Sequence, residues 1–200
     1  MAAASLAIID GGGANIASLT FALKRLGTDA VLTTDKSVIE NADKVILPGV
    51  GAAADAMERL QAADLVDFIP QLSQPVLGIC LGMQLMFEAS EEDNATCLGI
   101  IPGTAAKFFP EPDMPVPHMG WNRVDQIRES KLFTGIPDGA YFYFVHSYAL
   151  PVSDASAGVT DYSTPFTAVA EHNNFCAAQF HPERSGEWGA KLIENFLTLY

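Results

Sequence analysis

Cysteine is scarce in this sequence. The 200 residues include three cysteines, Cys80, Cys97 and Cys176. A disulfide framework needs several pairs, so this small and odd number argues against one. Free thiols are typical of reducing compartments, and we therefore expect a cytoplasmic protein.

Basic residues are also few. The 11 Lys and Arg are outnumbered by 24 Asp and Glu, which gives a net charge of −13 at pH 7. A surface of this sign repels phosphate backbones and anionic lipids. The composition therefore argues against nucleic-acid or membrane binding, although a local pocket could still take a small anion.

The sequence also lacks a long hydrophobic run and a basic leader. The apolar segment up to Ile9 carries no Lys or Arg and runs directly into Asp10 and glycines, so we interpret it as a buried strand rather than a signal peptide. No stretch reaches the length of a transmembrane helix. With 49% hydrophobic residues, residues 1–200 have the size and composition of one globular domain.

Short apolar runs alternate with helical patterns in the first half of the chain. Strands are predicted at residues 6–9, 30–32, 44–47 and 75–79, and helices at residues 16–26, 52–60 and 81–89. This alternation predicts a mostly parallel central sheet flanked by helices. Because ligands bind such sheets beyond the carboxyl ends of the strands, we expect loops 10–15, 48–51 and 78–82 along one rim.

The second half is rich in β-branched and aromatic residues. Strands are predicted at residues 141–145, 166–171 and 175–180, with a turn at Asn173-Asn174. We interpret them as antiparallel hairpins added to the sheet of an α/β protein. Trp188, Leu192, Phe196 and Leu199 recur at helical spacing and predict a final docked helix.

Cys80 lies between a predicted strand and a predicted helix. Glycines stand two residues before it and two after it, at Gly78 and Gly82. This is the pattern of a nucleophile elbow with cysteine in place of serine, and a helix N-terminus favours the reactive thiolate. A buried structural cysteine fits the same pattern, so the pattern alone does not decide between them. Cys97 and Cys176 lack this setting and are assigned to packing.

A base for such a nucleophile is available in His181-Pro182-Glu183. His181 follows a predicted strand and would lie on the same rim as Cys80, and Glu183 could hydrogen-bond back to its imidazole. Taken alone, His-Pro-Glu is better interpreted as a turn histidine beside a solvated glutamate. The chain's four histidines show no metal-ligand spacing, so we predict no metal.

Backbone donors for an oxyanion could come from Pro48-Gly49-Val50-Gly51 and from the N–H of Leu81. An ordinary strand-to-helix turn would look similar. The glycines after Asp10 form neither a phosphate-binding loop nor a dinucleotide-binding motif.

In this order, Pro48-Gly49-Val50-Gly51, the Cys80 elbow and Phe180-His181-Pro182-Glu183 resemble the motifs of class I (triad) glutamine amidotransferases. Residues 117–122 and 143–148 are further similar to the glutaminase subunit of imidazole glycerol phosphate synthase, a family of histidine biosynthesis. The resemblance extends over about residues 6–200.

The resemblance implies a glutaminase without a cofactor. In it, Cys80 attacks the glutamine amide, His181 transfers protons and Glu183 orients His181. The implied oxyanion and glutamine-binding residues are Gly49, Val50, Gly51, Leu81, Gln84, Tyr143, His146, Ser147 and Tyr148. The implied partner-interface residues are Asn15, Met119, Trp121, Asn122 and Arg184.

The family also implies a partner, a cyclase subunit with a (β/α)8 barrel that receives the ammonia. The cyclase converts the nucleotide PRFAR to imidazole glycerol phosphate and AICAR. This chain has no segment that could form the barrel, so we expect a heterodimer.

One departure concerns the segment after the first strand. The family usually has Asp-Tyr-Gly-x-Gly-Asn there, whereas this chain has Asp10-Gly11-Gly12-Gly13-Ala14-Asn15. The change leaves the triad intact but affects a segment that the family places near the cyclase.

Two alternative functions remain open. The first is another triad glutaminase, such as the small subunit of anthranilate synthase or a lone glutaminase domain of a nucleotide synthase. Met83 and residues 117–122 argue against the anthranilate synthase subunit. The second is a non-catalytic binding module with the same fold, against which the complete set of Cys80, His181 and Glu183 argues.

Overall fold

A computed structural model describes residues 5–12 and 16–200, so Asn15 lies outside the described residues. The strands are β1 Leu6–Ile9, β2 Val31–Thr33, β3 Lys44–Gly49, β4 Val76–Cys80, β5 Phe87–Ser90, β6 Ala95–Thr96, β7 Ile101–Lys107, β8 His118–Gln126, β9 Ala140–His146, β10 Tyr148–Ala149, β11 Ser156–Tyr162, β12 Thr164–His172 and β13 Phe175–Ala178. The α-helices are α1 Ile16–Arg25, α2 Lys36–Glu40, α3 Ala53–Ala62, α4 Leu81–Met86 and α5 Gly186–Leu199. Short 3-10 helices cover Ile69–Gln71, Glu92–Asn94, Lys131–Phe133 and Pro182–Arg184.

The large sheet has nine strands in the order β2-β1-β3-β4-β13-β12-β11-β8-β9. The strands from β2 to β13 in this order pair in parallel, and those from β13 to β9 pair antiparallel. The predicted α/β sheet with added hairpins is thus confirmed. The hairpin of β12 and β13 turns at Asn173-Asn174, as the sequence predicts.

A hydrophobic core covers each face of this sheet. The four residues of β1 are buried because helices and loops cover both faces, which explains the uninterrupted apolar run. One core includes Leu19 of α1 and Phe196 of α5, and the other includes Leu60 of α3 and Met83 of α4. Within the described residues, no helix is long and apolar enough to span a membrane.

One predicted element needs correction, and one sheet was not predicted. The helix predicted over residues 81–89 ends at Met86, and Phe87 begins β5. β5 belongs to a second sheet, of order β10-β7-β5-β6, which the sequence did not indicate. Strands β5, β6 and β10 have only two to four residues and carry too little alternation to be recognised, and the seven-residue β7 belongs to this sheet through its pairing with β5 and β10.

Candidate active site

Cys80 is the last residue of β4 and immediately precedes α4. Its φ of 53° and ψ of −110° place it in a region that residues with a Cβ rarely adopt. Such strain is characteristic of functional sites, where the surrounding structure holds the residue in place. The strand, the strained cysteine and the helix together form the predicted elbow.

The glycine two residues before Cys80 is required by close packing. A Cβ at Gly78 would lie 2.9 Å from the Sδ and Cε atoms of Met86 and 3.0 Å from the carbonyl oxygen of Gly82. The strand entering the elbow and the helix leaving it therefore approach each other closely. This close approach leaves no room for a Cβ at position 78, which explains the glycine of the motif.

His181 and Glu183 form a buried pair beside Cys80. The imidazole Nδ1 of His181 lies 2.9 Å from Oε1 of Glu183, and the side chains are 4% and 2% exposed. His181 also forms a side-chain hydrogen bond with Cys80. The structure thus brings together the three residues that the sequence proposed as nucleophile, base and orienting group.

The environment of His181 favours its protonated form. Burial lowers the pKa of His181, but hydrogen bonds to Cys80 and Glu183 and the charges of those two groups outweigh burial and raise it to about 10. An imidazolium beside the sulfur is the arrangement that stabilises a thiolate in cysteine hydrolases.

Ser185 holds the backbone around His181. Its hydroxyl donates to the carbonyl oxygen of His181 at 2.7 Å and accepts from the N–H of Tyr143 at 2.9 Å. The N–H of His181 in turn donates to the carbonyl oxygen of Tyr143 at 2.9 Å. These three bonds attach the loop that carries the triad to β9.

The predicted oxyanion segment lies beside the elbow. Gly49 ends β3 and is paired with Cys80 of β4. A Cβ at Gly49 would lie 3.0 Å from Cβ of Leu81. Loops 48–51 and 78–82 therefore share one rim, as the parallel order of the strands predicts.

A cavity of about 280 Å³ opens at Cys80. Most of its wall comes from residues that the sequence singled out. The predicted residues lining it are Val50, Gly51, Cys80, Leu81, Gln84, His146, Ser147, Tyr148 and His181. Tyr143 does not line this cavity, and Gly49 lies beside it against Leu81.

Gln84 is buried at the edge of this cavity with a fixed orientation. Its Nε2 donates to the carbonyl oxygen of Tyr148 at 2.9 Å and to Oε1 of Gln179 at 3.0 Å. Both amide hydrogens are used, and no donor among the described residues bonds to the side-chain carbonyl oxygen, so this oxygen can accept a hydrogen bond in the cavity.

Glu92 lines the same cavity and was missed by the sequence analysis. Its Oε2 accepts a hydrogen bond from the N–H of Ala53 at 2.7 Å and so caps α3, whose own N-cap, Ala52, offers no side-chain acceptor. Burial raises the pKa of Glu92. No local signal distinguishes this carboxylate from its neighbours Glu91 and Asp93, because its position depends on a contact across 39 residues.

Two of the predicted interface residues lie on the outer face of the β8–β9 hairpin, and a third, Arg184, contacts that face from the 3-10 helix Pro182–Arg184. Met119 is 63% and Trp121 55% exposed. The rings of Trp121 and Tyr143 meet edge to face at 6.1 Å, and the guanidinium of Arg184 lies 5.6 Å from the Tyr143 ring centroid. Tyr143 thus joins this exposed cluster rather than the glutamine cavity.

Asn122 is placed on the opposite face of β8. Its Nδ2 donates to the carbonyl oxygen of Asp161 at 3.0 Å and to Nε2 of His118 at 3.3 Å. Alternation along the strand separates it from Met119 and Trp121. Its proposed interface role therefore has no support from side-chain direction.

The other two cysteines are buried and remain protonated. Burial raises the pKa of Cys97 to about 11 and that of Cys176 well above its usual value. Neither thiol lines the cavity at Cys80. Over residues 5–12 and 16–200, no group of three or more His, Cys, Asp or Glu side chains could hold a metal ion.

Comparison with known proteins shows the family to which the chain belongs. The family described as class I glutamine amidotransferase matches residues 7–199. The imidazole glycerol phosphate synthase subunit HisH of Xylella fastidiosa (strain Temecula1) is 48% identical over 194 residues, which cover 97% of both chains. The subunit of the same name from Xanthomonas axonopodis pv. citri is 49% identical with the same coverage.

A solved structure described as a glutamine amidotransferase shares the fold, with a TM-score of 0.74 and 15% identity over 97% of both chains. The predicted enzyme class is confirmed by these matches. This chain belongs to the class I glutamine amidotransferases and, within them, to the family of the HisH subunit of imidazole glycerol phosphate synthase.

Proposed function

We propose that the chain hydrolyses glutamine to glutamate and ammonia through a thioester on Cys80. The observation that carries the proposal is the strained Cys80, hydrogen-bonded to the buried His181–Glu183 pair, at the wall of a cavity. A non-catalytic module would have no need of a cysteine with positive φ beside an imidazolium. The cavity, at about 280 Å³, suits a single amino acid.

Four groups of the cavity are suited to bind glutamine or its tetrahedral intermediate. The carboxylate of Glu92 would pair with the α-ammonium group, which would also offset the cost of burying this carboxylate. The carbonyl oxygen of Gln84 would accept a hydrogen bond from a substrate N–H group. Backbone N–H groups of Val50 and Leu81 would stabilise the oxygen of the tetrahedral intermediate.

The reaction then proceeds in two balanced steps. The Cys80 thiolate attacks the amide carbon, His181 gives its proton to the leaving nitrogen, and ammonia departs from a γ-glutamyl thioester. His181, now neutral, takes a proton from water as the water attacks the thioester. Glutamate and the thiolate–imidazolium pair are released, so one water is consumed for each ammonia formed.

The ammonia is passed to a cyclase subunit with a (β/α)8 barrel. The family resemblance supports this assignment, since its members are subunits of imidazole glycerol phosphate synthase. There the ammonia converts PRFAR to imidazole glycerol phosphate and AICAR. The exposed Met119 and Trp121, with Arg184 beside them, are the proposed docking surface, because exposed aromatic and arginine side chains are typical of binding hot spots.

Cys80→Ala tests the proposal in the complex with the cyclase. Glutamine-dependent synthesis of imidazole glycerol phosphate should be lost, while synthesis from ammonium salts should persist. Cys97→Ala, which changes a buried thiol away from the cavity, should retain both activities. Loss of both activities in Cys80→Ala would indicate a structural role, and persistence of both would exclude Cys80 as nucleophile. Glutamate release by the wild-type chain should be weak alone and strongly stimulated by the cyclase with its nucleotide.

A further inference from the structure

The carbonyl oxygen of Tyr148 anchors a buried hydrogen-bond network behind the cavity. It accepts from Nε2 of Gln84 at 2.9 Å and faces Nδ1 of His146 at 2.8 Å. A backbone carbonyl can only accept, so both facing nitrogens must carry hydrogen. This single atom therefore sets the orientation of one amide and the tautomer of one imidazole.

The first arm of the network leads to the proposed nucleophile. Since Gln84 presents its N–H groups, the atom of Gln179 that lies 3.0 Å from them must be the oxygen Oε1. The Nε2 of Gln179 then points the other way and lies 3.9 Å from Sγ of Cys80. Gln179 is completely buried, so its amide has no competing contact with solvent.

The second arm supports Tyr148 from β8. Because His146 uses Nδ1–H toward Tyr148, its Nε2 accepts from Nδ1 of His118 at 2.9 Å. Nε2 of His118 in turn accepts from Asn122 at 3.3 Å. Burial lowers the pKa of His118 to about 4 and that of His146 to about 3, so both rings stay neutral near pH 7 and the order of donors is preserved.

We propose that Gln179 is a further catalytic residue, whose amide N–H donates to the sulfur of Cys80 and stabilises its thiolate. This inference rests on the proposed role of Cys80 as nucleophile. A hydrogen bond to an ionised acceptor is about twice as strong as one to a neutral acceptor, so the donor favours the thiolate over the thiol. Gln84 and Tyr148 act as positioning groups, because they leave Gln179 only one orientation.

Alkylation of Cys80 by iodoacetamide tests the inference on the full chain alone. The reagent is small enough for the cavity and carries a primary amide, as glutamine does. Rates would be measured against pH, with Cys80 identified by peptide mass spectrometry. In Gln179→Met, which keeps an unbranched side chain but lacks the donor, the pH at which the alkylation rate is half-maximal should rise by about one unit. At pH values below the wild-type midpoint, the rate should therefore fall about tenfold.

Thr167→Val is the matched control, since it removes an equally buried hydroxyl that bonds to Ser156 and to the carbonyl oxygen of Pro151, away from the sulfur. Its alkylation profile should match that of the wild type. An unchanged profile in folded Gln179→Met, or the same shift in Thr167→Val, would overturn the inference. Gln179→Leu replaces the methionine variant if circular dichroism shows that the latter is unfolded.

The assay needs neither glutamine turnover nor the cyclase. A wild-type complex that releases no glutamate would therefore reject the proposed function, while the alkylation profiles would still report on the contact between Gln179 and Cys80.

Discussion

A Cβ on Gly82 would lie 1.8 Å from the carbonyl oxygen of Leu47. No real Cβ comes so close to an oxygen, so α4 can approach β3 only because residue 82 is glycine. The same contact places the N-terminus of α4 beside Gly49, the end of the proposed oxyanion segment. One glycine thus determines the distance between the nucleophile and the donors expected to serve it.

Gly82→Ala is expected to destabilise the protein and displace Cys80. The clash is with backbone, which cannot rotate away as a side chain could, so we expect a loss of about 2 kcal/mol or more in the free energy of unfolding. Urea denaturation measures the loss of stability, and a lower rate of glutamate release would report the displacement of Cys80. Gly11→Ala is the control, because a Cβ there meets no atom of the described residues within 4 Å. Equal stability of the two variants would contradict the packing argument.

Glu92→Gln should weaken glutamine binding by removing the charge proposed to pair with the α-ammonium group. The amide oxygen can still accept from Ala53, so the cap of α3 is retained. We expect KM for glutamine to rise about tenfold or more with little change in the unfolding midpoint. Glu91→Gln is the matched control, since Glu91 is exposed, accepts from the N–H of Lys107 and does not line the cavity. An unchanged KM in Glu92→Gln would assign Glu92 to capping alone.

His118→Asn should reduce the loss of stability at acidic pH. The unfolded chain binds a proton at this histidine below about pH 6.5, whereas the folded chain resists protonation until about pH 4, so stability falls as pH drops through this window. The Nδ2 of asparagine can replace Nδ1 of His118 as the donor to His146. Urea midpoints measured from pH 7.5 to 4.5 should therefore decline less steeply as the pH falls than those of the wild type. The difference in the slope of unfolding free energy against pH should correspond to at most one bound proton.

His172→Asn serves as the control for this comparison, because His172 lies at the end of β12 away from the buried network. The His172→Asn variant should show the same decline of the urea midpoint with falling pH as the wild type. A wild-type slope in His118→Asn as well would mean that this histidine does not resist protonation in the folded protein.

Trp121→Ala should weaken association with the cyclase and leave the fold intact. The side chain is 55% exposed, so its loss creates no internal cavity, whereas aromatic anchors at interfaces commonly contribute 2 kcal/mol or more, about thirtyfold in affinity. Titration calorimetry with the cyclase measures the change. Ile127→Ala removes an apolar side chain of similar exposure beyond the end of β8 and should bind normally. Normal binding by Trp121→Ala would place the partner on another surface.

Much of this molecule follows from local sequence. Apolar runs between helical patterns predict the parallel strands, because strands covered on both faces need no polar alternation. The glycines around Cys80 predict the elbow, since only small residues permit its contacts. The order of strands then places His181 and Glu183 on the rim of Cys80.

The tertiary structure decided what depends on distant contacts. Glu92 reaches the cavity from a 3-10 helix whose sequence carries no distinguishing signal, and Gln179 acquires its orientation only through the carbonyl oxygen of Tyr148. Asn122 faces inward and Tyr143 outward because strand pairing sets which alternate residues share a face. Sequence spacing determined which residues could meet at one rim, whereas register and hydrogen-bond direction determined which side chains do.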